Sequence, residues 1–170
     1  MRKEYLIPIE KELQLIELLS DKVIQEGYNA SNTIVVTVSS DYSSIVGQLM
    51  RHNLSFEGEI ADGFSVDVPY PSETWHNGWF IPQLHTLFSL NAFDFDKKTL
   101  VLVEAGIIKG GNYTFLVNWI KQNYPHIPVK TLSLFENAHS IFKSDFVGEI
   151  YDNNLQDLTF SWEKFNNNWI

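Results

Sequence analysis

The sequence predicts an α/β protein in which helices flank a central, mostly parallel β-sheet. Two short runs, residues 33–38 and 99–103, are apolar and rich in β-branched side chains, as in strands that are buried on both faces. Apolar residues at helical spacing precede the first run and follow both of them. This alternation begins a βαβ pattern. Proteins with parallel sheets of this kind bind their ligands at the carboxyl ends of the strands.

The first part of the pattern is a helix, a strand and a second helix. The first helix is predicted over residues 10–26, and Gly27 follows it as a stop signal. The strand over residues 33–38 leads into a polar turn, Ser39-Ser40-Asp41, which can cap a helix over residues 42–52. The first helix is expected to bury a face formed by Leu13, Ile16, Leu19 and Val23.

The middle of the chain is less regular. Residues 56–60 and 64–68 alternate apolar and polar side chains around Ala61-Asp62-Gly63, which predicts a hairpin or two neighbouring strands. Residues 69–80 hold two prolines, a glycine and four aromatic residues, and are predicted to form a loop. That loop could close over a flat ring, pack onto the domain or form a dimer contact. A short helix is predicted over residues 81–92.

The last part of the chain alternates helix and strands again. A helix is predicted from Tyr113 to Tyr124. Three further strands are predicted, over residues 129–135, 144–150 and 158–163.

Composition limits the classes of function. The 170 residues fit one domain, 1–170, and the 44% hydrophobic and 19% charged content is ordinary for a globular protein. A formal charge of -9 argues against a general nucleic-acid or anionic-membrane surface. The net charge does not exclude a local basic pocket. Without cysteine, disulfides and thiolate chemistry are excluded. No apolar run reaches the roughly 18 residues that cross a bilayer, so a cytoplasmic protein is expected.

Residues 98–114 form the most informative stretch. The strand over residues 99–103 is expected to stop at an acid, Glu104, before a glycine-rich loop and the start of a helix. Glycines allow backbone N–H groups to converge on an anion at the positive end of a helix, which makes phosphate the expected ligand. The alternative is an ordinary strand-to-helix turn in which Lys109 is a solvated lysine, because such turns occur throughout α/β proteins.

Residues 101–114, VLVEAGIIKGGNYT, resemble the signature of the type I phosphoribosyltransferases. In that family a buried strand ends in two acids, and the loop after it binds the 5-phosphate of phosphoribosyl pyrophosphate. The tail, with Asp145 and residues 148–149 ahead of Trp162-Glu163, is similar to the xanthine-guanine members of the purine branch. The resemblance covers residues 10–164. It implies a phosphoribosyltransferase-like sheet with a small hood built from the C-terminal segment.

The resemblance also implies roles for individual residues. Glu104 would be the catalytic acid that holds the ribose. Asp145 would bind Mg²⁺, which an active enzyme would need. The other implied residues are Lys109, Gly110, Gly111, Asn112 and Thr114 for the 5-phosphate, Ser39, Ser40 and Asp41 for the pyrophosphate, and Asn137, Asp157 and Leu158 for the base.

Several positions depart from the family pattern. Ala105 replaces the second acid, Ile108 stands where the loop aspartate is usual, and Asn137 replaces the lysine that reads the base. Loss of one electrostatic contact of this kind lowers the reaction rate by a factor of about 10²–10³.

Three hypotheses therefore stay open. The first is a divergent glycosyltransferase of purine salvage that uses phosphoribosyl pyrophosphate, with Asp41 or Asp94 as a relocated acid. The second is an inactive relative that binds a nucleotide or sugar phosphate. The third is an interaction protein that keeps only the fold. The family resemblance adds a homodimer as a candidate assembly.

Overall fold

The computed structural model describes residues 5–38, 40–66, 95–152 and 158–160. Within these ranges, the side chains of Tyr5, residues 40–44, Asp96 and residues 158–159 are not described. The predicted loop over residues 69–80, the predicted helix over residues 81–92, Ser39, Asp94 and Asp157 lie outside the described residues.

Five parallel strands form the central sheet. In chain order they are β2 (Thr33–Val38), β3 (Asp62–Val66), β4 (Thr99–Ile107), β5 (Val129–Asn137) and β6 (Phe146–Tyr151). Their order across the sheet is β3-β2-β4-β5-β6, so β4 lies at the centre. The predicted α/β fold class is confirmed, because apolar β-branched strands buried on both faces are typical of parallel sheets.

Helices cover both faces of the sheet. On one face, α1 (Ile9–Gln25) and α2 (Ser40–Asn53) pack on Val35, Val101 and Leu132. On the other face, α3 (Gly111–Asn123) packs on Ile34, Leu100 and Leu102. Successive strand residues point to opposite faces, so one apolar run supplies both cores.

The predicted boundaries of the three described helices, α1, α2 and α3, are correct to within two residues, but one predicted core residue is wrong. Ile16, Leu19 and Val23 of α1 are buried together with Leu15, whereas Leu13 is 46% exposed. The buried face of α1 consists of positions 12, 15, 16, 19, 20 and 23, so it is rotated from the predicted face and Leu13 lies outside it.

The first and last described segments, residues 5–7 and 158–160, form a second, two-stranded sheet. Strand β1 (Tyr5–Ile7) runs parallel to β7 (Leu158–Phe160), with Leu6 paired to Thr159. Phe160 packs on Phe135 of the central sheet at 5.9 Å between ring centroids. The C-terminal segment, predicted as a hood, thus contributes β7, and its residues 161–170 lie outside the described part of the chain.

Two predictions about strands are wrong. Strand β4 does not stop at Glu104 but continues to Ile107, because Gly106 and Ile107 still pair with Phe135 and Glu136 of β5. Neither the hairpin nor the pair of neighbouring strands predicted around Ala61-Asp62-Gly63 forms, because residues 56–60 form only an isolated bridge, between Phe56 and Glu59, and Asp62 and Gly63 open strand β3, which is parallel to β2. Gly63 allows close approach rather than a turn, since a Cβ there would lie 2.6 Å from the carbonyl oxygen of Val35.

Candidate functional site

The glycine-rich loop lies at the carboxyl end of the sheet, between β4 and α3. Strand β4 ends at Ile107 and helix α3 begins at Gly111, so three residues, Ile108 to Gly110, make the connection. Helix α2 begins at Ser40, directly after the end of β2, which pairs with β4 through Thr37 and Val103. The end of β2 at Val38 is therefore level with Glu104, and β4 continues three residues beyond it at the same edge of the sheet, where parallel sheets bind their ligands.

Gly110 has a backbone conformation that only glycine adopts easily. Its φ angle is 80°, in the left-handed region, and it stands directly before the first residue of α3. A Cβ at Gly110 would lie 2.5 Å from Oγ of Ser140 and 2.6 Å from Cβ of Phe142. Both conformation and space therefore require glycine at this position.

The amino end of α3 offers backbone donors to an anion. The first helical hydrogen bond runs from the N–H of Thr114 to the carbonyl oxygen of Gly110 at 2.9 Å. The N–H groups of Gly111, Asn112 and Tyr113 thus precede the internal bonding of the helix. The first turn of α3 contains no acidic residue, whereas α1 has Glu10 and Glu12 there. Within that turn, no carboxylate offsets the positive end of the α3 dipole.

The side chains of the predicted phosphate residues differ in exposure. Lys109 and Gly111 are exposed, and a Cβ on Gly111 would meet no atom within 4 Å. Asn112 is half-buried. The hydroxyl of Thr114 donates to the carbonyl oxygen of Gly110 at 2.8 Å, so it closes the first turn of the helix. The structure therefore brings together all five residues predicted for the 5-phosphate, with open space at Gly111.

The connection between β5 and β6 supports this loop from one side. The N–H of Ile141 donates to the carbonyl oxygen of Lys109 at 3.2 Å. Ser140 and Phe142 fill the space beside Gly110, and the ring of Phe142 packs edge-on against that of Tyr113 at 4.9 Å between centroids. The loop is thus held by packing as well as by its own backbone.

Glu104 lies within β4, three residues before the strand ends. It pairs with Ser133 of β5 and is half-buried, and its Oε1 accepts the N–H of Ala105 at 3.2 Å. Ala105, which replaces the second acid, is buried in the core on the α1 side. Glu104 therefore supplies the carboxylate of the β4 signature without the neighbouring acid.

Tyr113, predicted from the sequence only as the first residue of a helix, lies at this site. It is buried, and its hydroxyl donates to the carbonyl oxygen of Leu102 at 2.5 Å and lies 3.3 Å from that of Leu132. Burial raises the pKa of Tyr113 well above its ordinary value of 10.0, and the charges of Glu104 and Asp145 raise it further. Its hydroxyl ties the first turn of α3 to two central strands.

Replacing Tyr113 by phenylalanine is expected to lower the free energy of unfolding by about 1 kcal/mol near pH 7, because one buried hydrogen bond is lost. The wild-type tyrosine has a higher pKa when folded than when unfolded. Its stabilising contribution is therefore complete below pH 10 and is lost as the pH rises further, by at most about 1.4 kcal/mol per pH unit.

Urea unfolding of both proteins at pH 7, 9 and 10.5 measures this difference. The two proteins share all other tyrosines, so the difference between their unfolding free energies isolates Tyr113. It is expected to be constant from pH 7 to 9 and to shrink at pH 10.5. A difference that stays the same at all three pH values would contradict the buried, protonated state.

The structure does not bring Asp145 to the loop. Its Oδ2 accepts the N–H and the hydroxyl of Thr131, both at 2.8 Å, and Lys130 lies 3.9 Å from Oδ1. Thr131 pairs with Leu102, five residues before the end of β4 and therefore about 16 Å from it. Asp145 thus fixes the start of β6 towards the amino end of the sheet.

The predicted base residues lie in three places. Asn137 ends β5 at the carboxyl end of the sheet, where it is buried and its Oδ1 accepts the N–H of His139 at 2.8 Å. Leu158 begins β7 and pairs with Tyr5 of β1. Asp157 lies outside the described residues. Of the pyrophosphate residues, Ser40 and Asp41 open α2, and their side chains are not described.

None of the described helices is long and apolar enough to cross a membrane. Within the described ranges, no group of three or more histidine, aspartate or glutamate side chains is placed to hold a metal ion.

The fold is shared with solved phosphoribosyltransferases. A purine phosphoribosyltransferase from Pyrococcus horikoshii superposes with a TM-score of 0.67 at 14% identity, over 94% of this chain and 93% of that one. The xanthine-guanine-hypoxanthine phosphoribosyltransferase of Helicobacter pylori superposes with a TM-score of 0.66 at 13% identity, over 98% of this chain and 97% of that one. A hypoxanthine phosphoribosyltransferase from Staphylococcus aureus superposes with a TM-score of 0.63 at 11% identity, over 89% of this chain and 79% of that one.

No protein-family model and no curated protein sequence matches the chain. At identities of 11–14%, the structural likeness concerns the fold, and that fold is the type I phosphoribosyltransferase fold. The particular structures described above are all named for purines or purine bases. The resemblance drawn from residues 101–114 is therefore confirmed for the fold.

Proposed function

We propose that the protein binds a phosphoribosyl ligand, either phosphoribosyl pyrophosphate or a nucleotide, and transfers phosphoribose from phosphoribosyl pyrophosphate to a purine-like base. One observation carries the proposal. A left-handed glycine and an acid-free helix terminus stand at the carboxyl end of the central strand, in a fold shared with purine phosphoribosyltransferases. This arrangement suits a 5-phosphate.

The phosphate contacts are assigned mainly to the backbone. The N–H groups of Gly111, Asn112 and Tyr113 would donate to phosphate oxygens, and the absence of a side chain at Gly111 allows close approach. The exposed ammonium of Lys109 adds a positive charge beside them. In a protein of net charge -9, such a local positive site is needed to attract an anionic ligand.

Glu104 is assigned to the ribose. Transfer of a ribosyl group develops positive charge on the sugar, and a carboxylate placed beside it stabilises that charge. Ser39, Ser40 and Asp41 follow β2 in the sequence and are assigned to the pyrophosphate. Asn137, Asp157 and Leu158 remain the proposed base residues, with Asn137 at the carboxyl end of β5.

We assign Mg²⁺ to the site only when the substrate is bound there as well. Mg²⁺ keeps several waters and is commonly held by one or two carboxylates together with substrate phosphates, so Glu104 fits as a single protein ligand. When bound, the ion would neutralise charge on the pyrophosphate. Asp145 does not fit this role, because its carboxylate already bonds Thr131 at the other end of β5.

A thermal-shift titration with phosphoribosyl pyrophosphate, ribose 5-phosphate and GMP, each with and without Mg²⁺, tests the proposal. A ligand at about a hundred times its dissociation constant adds roughly 2.7 kcal/mol to stability, which moves the midpoint by several degrees. A turnover assay with a panel of purines then tests transfer. Stabilisation without turnover would identify an inactive nucleotide-binding relative, and no stabilisation by any ligand would overturn the proposal.

The same proposal includes a single domain over residues 1–170, a cytoplasmic location and a homodimer. Light scattering of the purified protein checks the assembly directly. A mass of about 39 kDa is expected for two chains of 19.6 kDa each.

A further inference from the structure

A buried acid, Glu136, lies opposite the start of the phosphate loop, which consists of residues 109–114. Glu136 is the last residue but one of β5, where it pairs with Ile107, the residue at which β4 ends. Its side chain is only 1% exposed. A carboxylate that is withdrawn from water to this extent needs a cationic partner and hydrogen bonds. The connection between β5 and β6 supplies both.

Lys143 and Ser144 of that connection bind Glu136. The Nζ of Lys143 lies 3.3 Å from Oε1 of Glu136, and the N–H of Ser144 donates to Oε2 at 2.8 Å. The same ammonium donates to the carbonyl oxygens of Asn137 at 3.4 Å and of Ala138 at 3.1 Å. The two ends of the connection are thereby joined to each other at the end of β5.

The middle of the connection contacts the phosphate loop. The N–H of Ile141 donates to the carbonyl oxygen of Lys109 at 3.2 Å. Ser140 and Phe142 pack beside Gly110 so closely that a Cβ on the glycine would lie 2.5 Å from one and 2.6 Å from the other. An unbroken series of contacts therefore leads from the buried ion pair to the phosphate loop.

We propose that Glu136 and Lys143 are positioning residues, which hold the connection against the phosphate loop so that the N–H groups of the loop stay aimed at a bound phosphate. This inference rests on the proposed phosphate site. Stability alone gives no reason for the pair, because a buried ion pair is often no more stabilising than apolar residues of similar volume. Position gives a reason, because a binding site works only when its donors are held to within about 0.5 Å.

Direct contact between Lys143 and the phosphate would be a different role. The ammonium already lies within hydrogen-bonding distance of three protein oxygens, which matches its three donors. If Lys143 bound the phosphate itself, removing the charge of Glu136 would release the ammonium for the ligand. A positioning pair instead needs both of its members, so the two roles predict opposite results for a Glu136 variant.

Calorimetric titration of a Lys143→Met variant with ribose 5-phosphate tests the proposal. The variant is expected to bind about fivefold more weakly than the wild type, because residues that act on a site through intervening contacts change its energetics by roughly 2- to 30-fold. Glu136→Gln, whose amide oxygen can still accept the N–H of Ser144, is expected to show the same loss. The double variant is expected to lose about fivefold as well, rather than about 25-fold, because both changes remove one interaction.

Urea unfolding of each variant separates positioning from stabilisation of the fold. The titrations are made at a temperature at which these curves show each variant to be folded, so a residue that only stabilised the fold would leave the affinity unchanged. Lys143→Met changes a side chain that is 58% exposed and is expected to fold. It therefore tests the proposal even if Glu136→Gln does not fold.

Lys98→Met provides the matched control. Lys98 directly precedes β4 and pairs with Asp62, the first residue of β3, at 2.6 Å. Its replacement removes the same charge and also breaks a lysine–carboxylate pair, but at the amino end of the sheet, away from the phosphate loop. The affinity for ribose 5-phosphate is expected to stay at the wild-type value.

Four results would overturn the positioning role. They are an unchanged affinity in Lys143→Met, a loss of the same size in Lys98→Met, losses that multiply in the double variant, and a weaker Lys143→Met beside an unchanged or tighter Glu136→Gln. The last would show that Lys143 contacts the phosphate itself. Failure of the phosphate site looks different, because the wild type would then not bind ribose 5-phosphate, and the positioning role would be refuted with it.

Discussion

Replacing Gly110 by valine is expected to lower the free energy of unfolding by about 2–5 kcal/mol. The left-handed backbone costs roughly 1–2 kcal/mol for a residue with a Cβ, and forcing extra atoms into a packed site costs about 1–3 kcal/mol more. The clash is unavoidable, because the new Cβ would lie 2.5 Å from Oγ of Ser140 and 2.6 Å from Cβ of Phe142. Urea unfolding monitored by tryptophan fluorescence measures the loss.

Gly111→Ala is the control for Gly110→Val. Gly111 has open space around its Cα and does not have a left-handed φ angle. Alanine there is expected to be neutral or to stabilise the protein by about 0.4–1 kcal/mol, through the unfolded state. Equal losses at the two adjacent glycines would show that the loop is not held by Ser140 and Phe142.

Replacing Glu104 by glutamine is expected to lower the rate of phosphoribosyl transfer by about 10²–10³. The amide keeps the shape of the side chain but removes the negative charge that would stabilise the developing sugar cation, and one such contact is typically worth that factor. Initial rates with phosphoribosyl pyrophosphate and the best purine of the panel give kcat/KM for both proteins. The effect is expected in kcat more than in KM, because the charge develops in the transition state.

Glu17→Gln is the control, since Glu17 is exposed on α1 and lies far from β4 in the sequence. It is expected to leave kcat/KM unchanged. A Glu104→Gln enzyme with the full wild-type rate would remove Glu104 from the reaction and place the necessary acid elsewhere.

The sequence predicted the sheet and its helices well because their signals are local. A buried parallel strand appears as an unbroken apolar run, as in Thr33–Val38, and an amphipathic helix repeats its apolar face every three to four residues. The glycine-rich turn between β4 and α3 was also predictable, because glycines after such a strand have a specific conformational role, which Gly110 fulfils.

Features that depend on strand pairing were not predictable. The extension of β4 to Ile107 depends on its partner β5, and the residues after Glu104 do not indicate this extension in the sequence. Asp62-Gly63 has the composition of a turn, yet it opens a strand because Gly63 permits close approach to Val35. Tertiary contact overrides turn propensity at this position.

The support behind the loop was also not predictable. In the sequence, Tyr113 fits the helical spacing of α3 in the same way as the other apolar residues of that helix. Only its contacts with Leu102 and Phe142 in the fold distinguish it. Asp145 matched a tail motif, but the fold places it beside Thr131 at the other end of the sheet. Its distance from the loop follows from the pairing of β5 with β4 rather than from the spacing of residues along the chain.

A ligand titration of a Gly111→Asp variant tests the central claim most directly. An aspartate in the first turn of α3 complements the helix dipole, so the unliganded protein is expected to gain about 0.3–1 kcal/mol of stability. The same carboxylate occupies and repels the proposed phosphate position, so the thermal shift by ribose 5-phosphate is expected to vanish. Gly111→Asn, which has the same size without the charge, is expected to reduce the shift without abolishing it, because it hinders close approach but does not repel the anion. A Gly111→Asp protein that is stabilised by ribose 5-phosphate as strongly as the wild type would place the phosphate elsewhere.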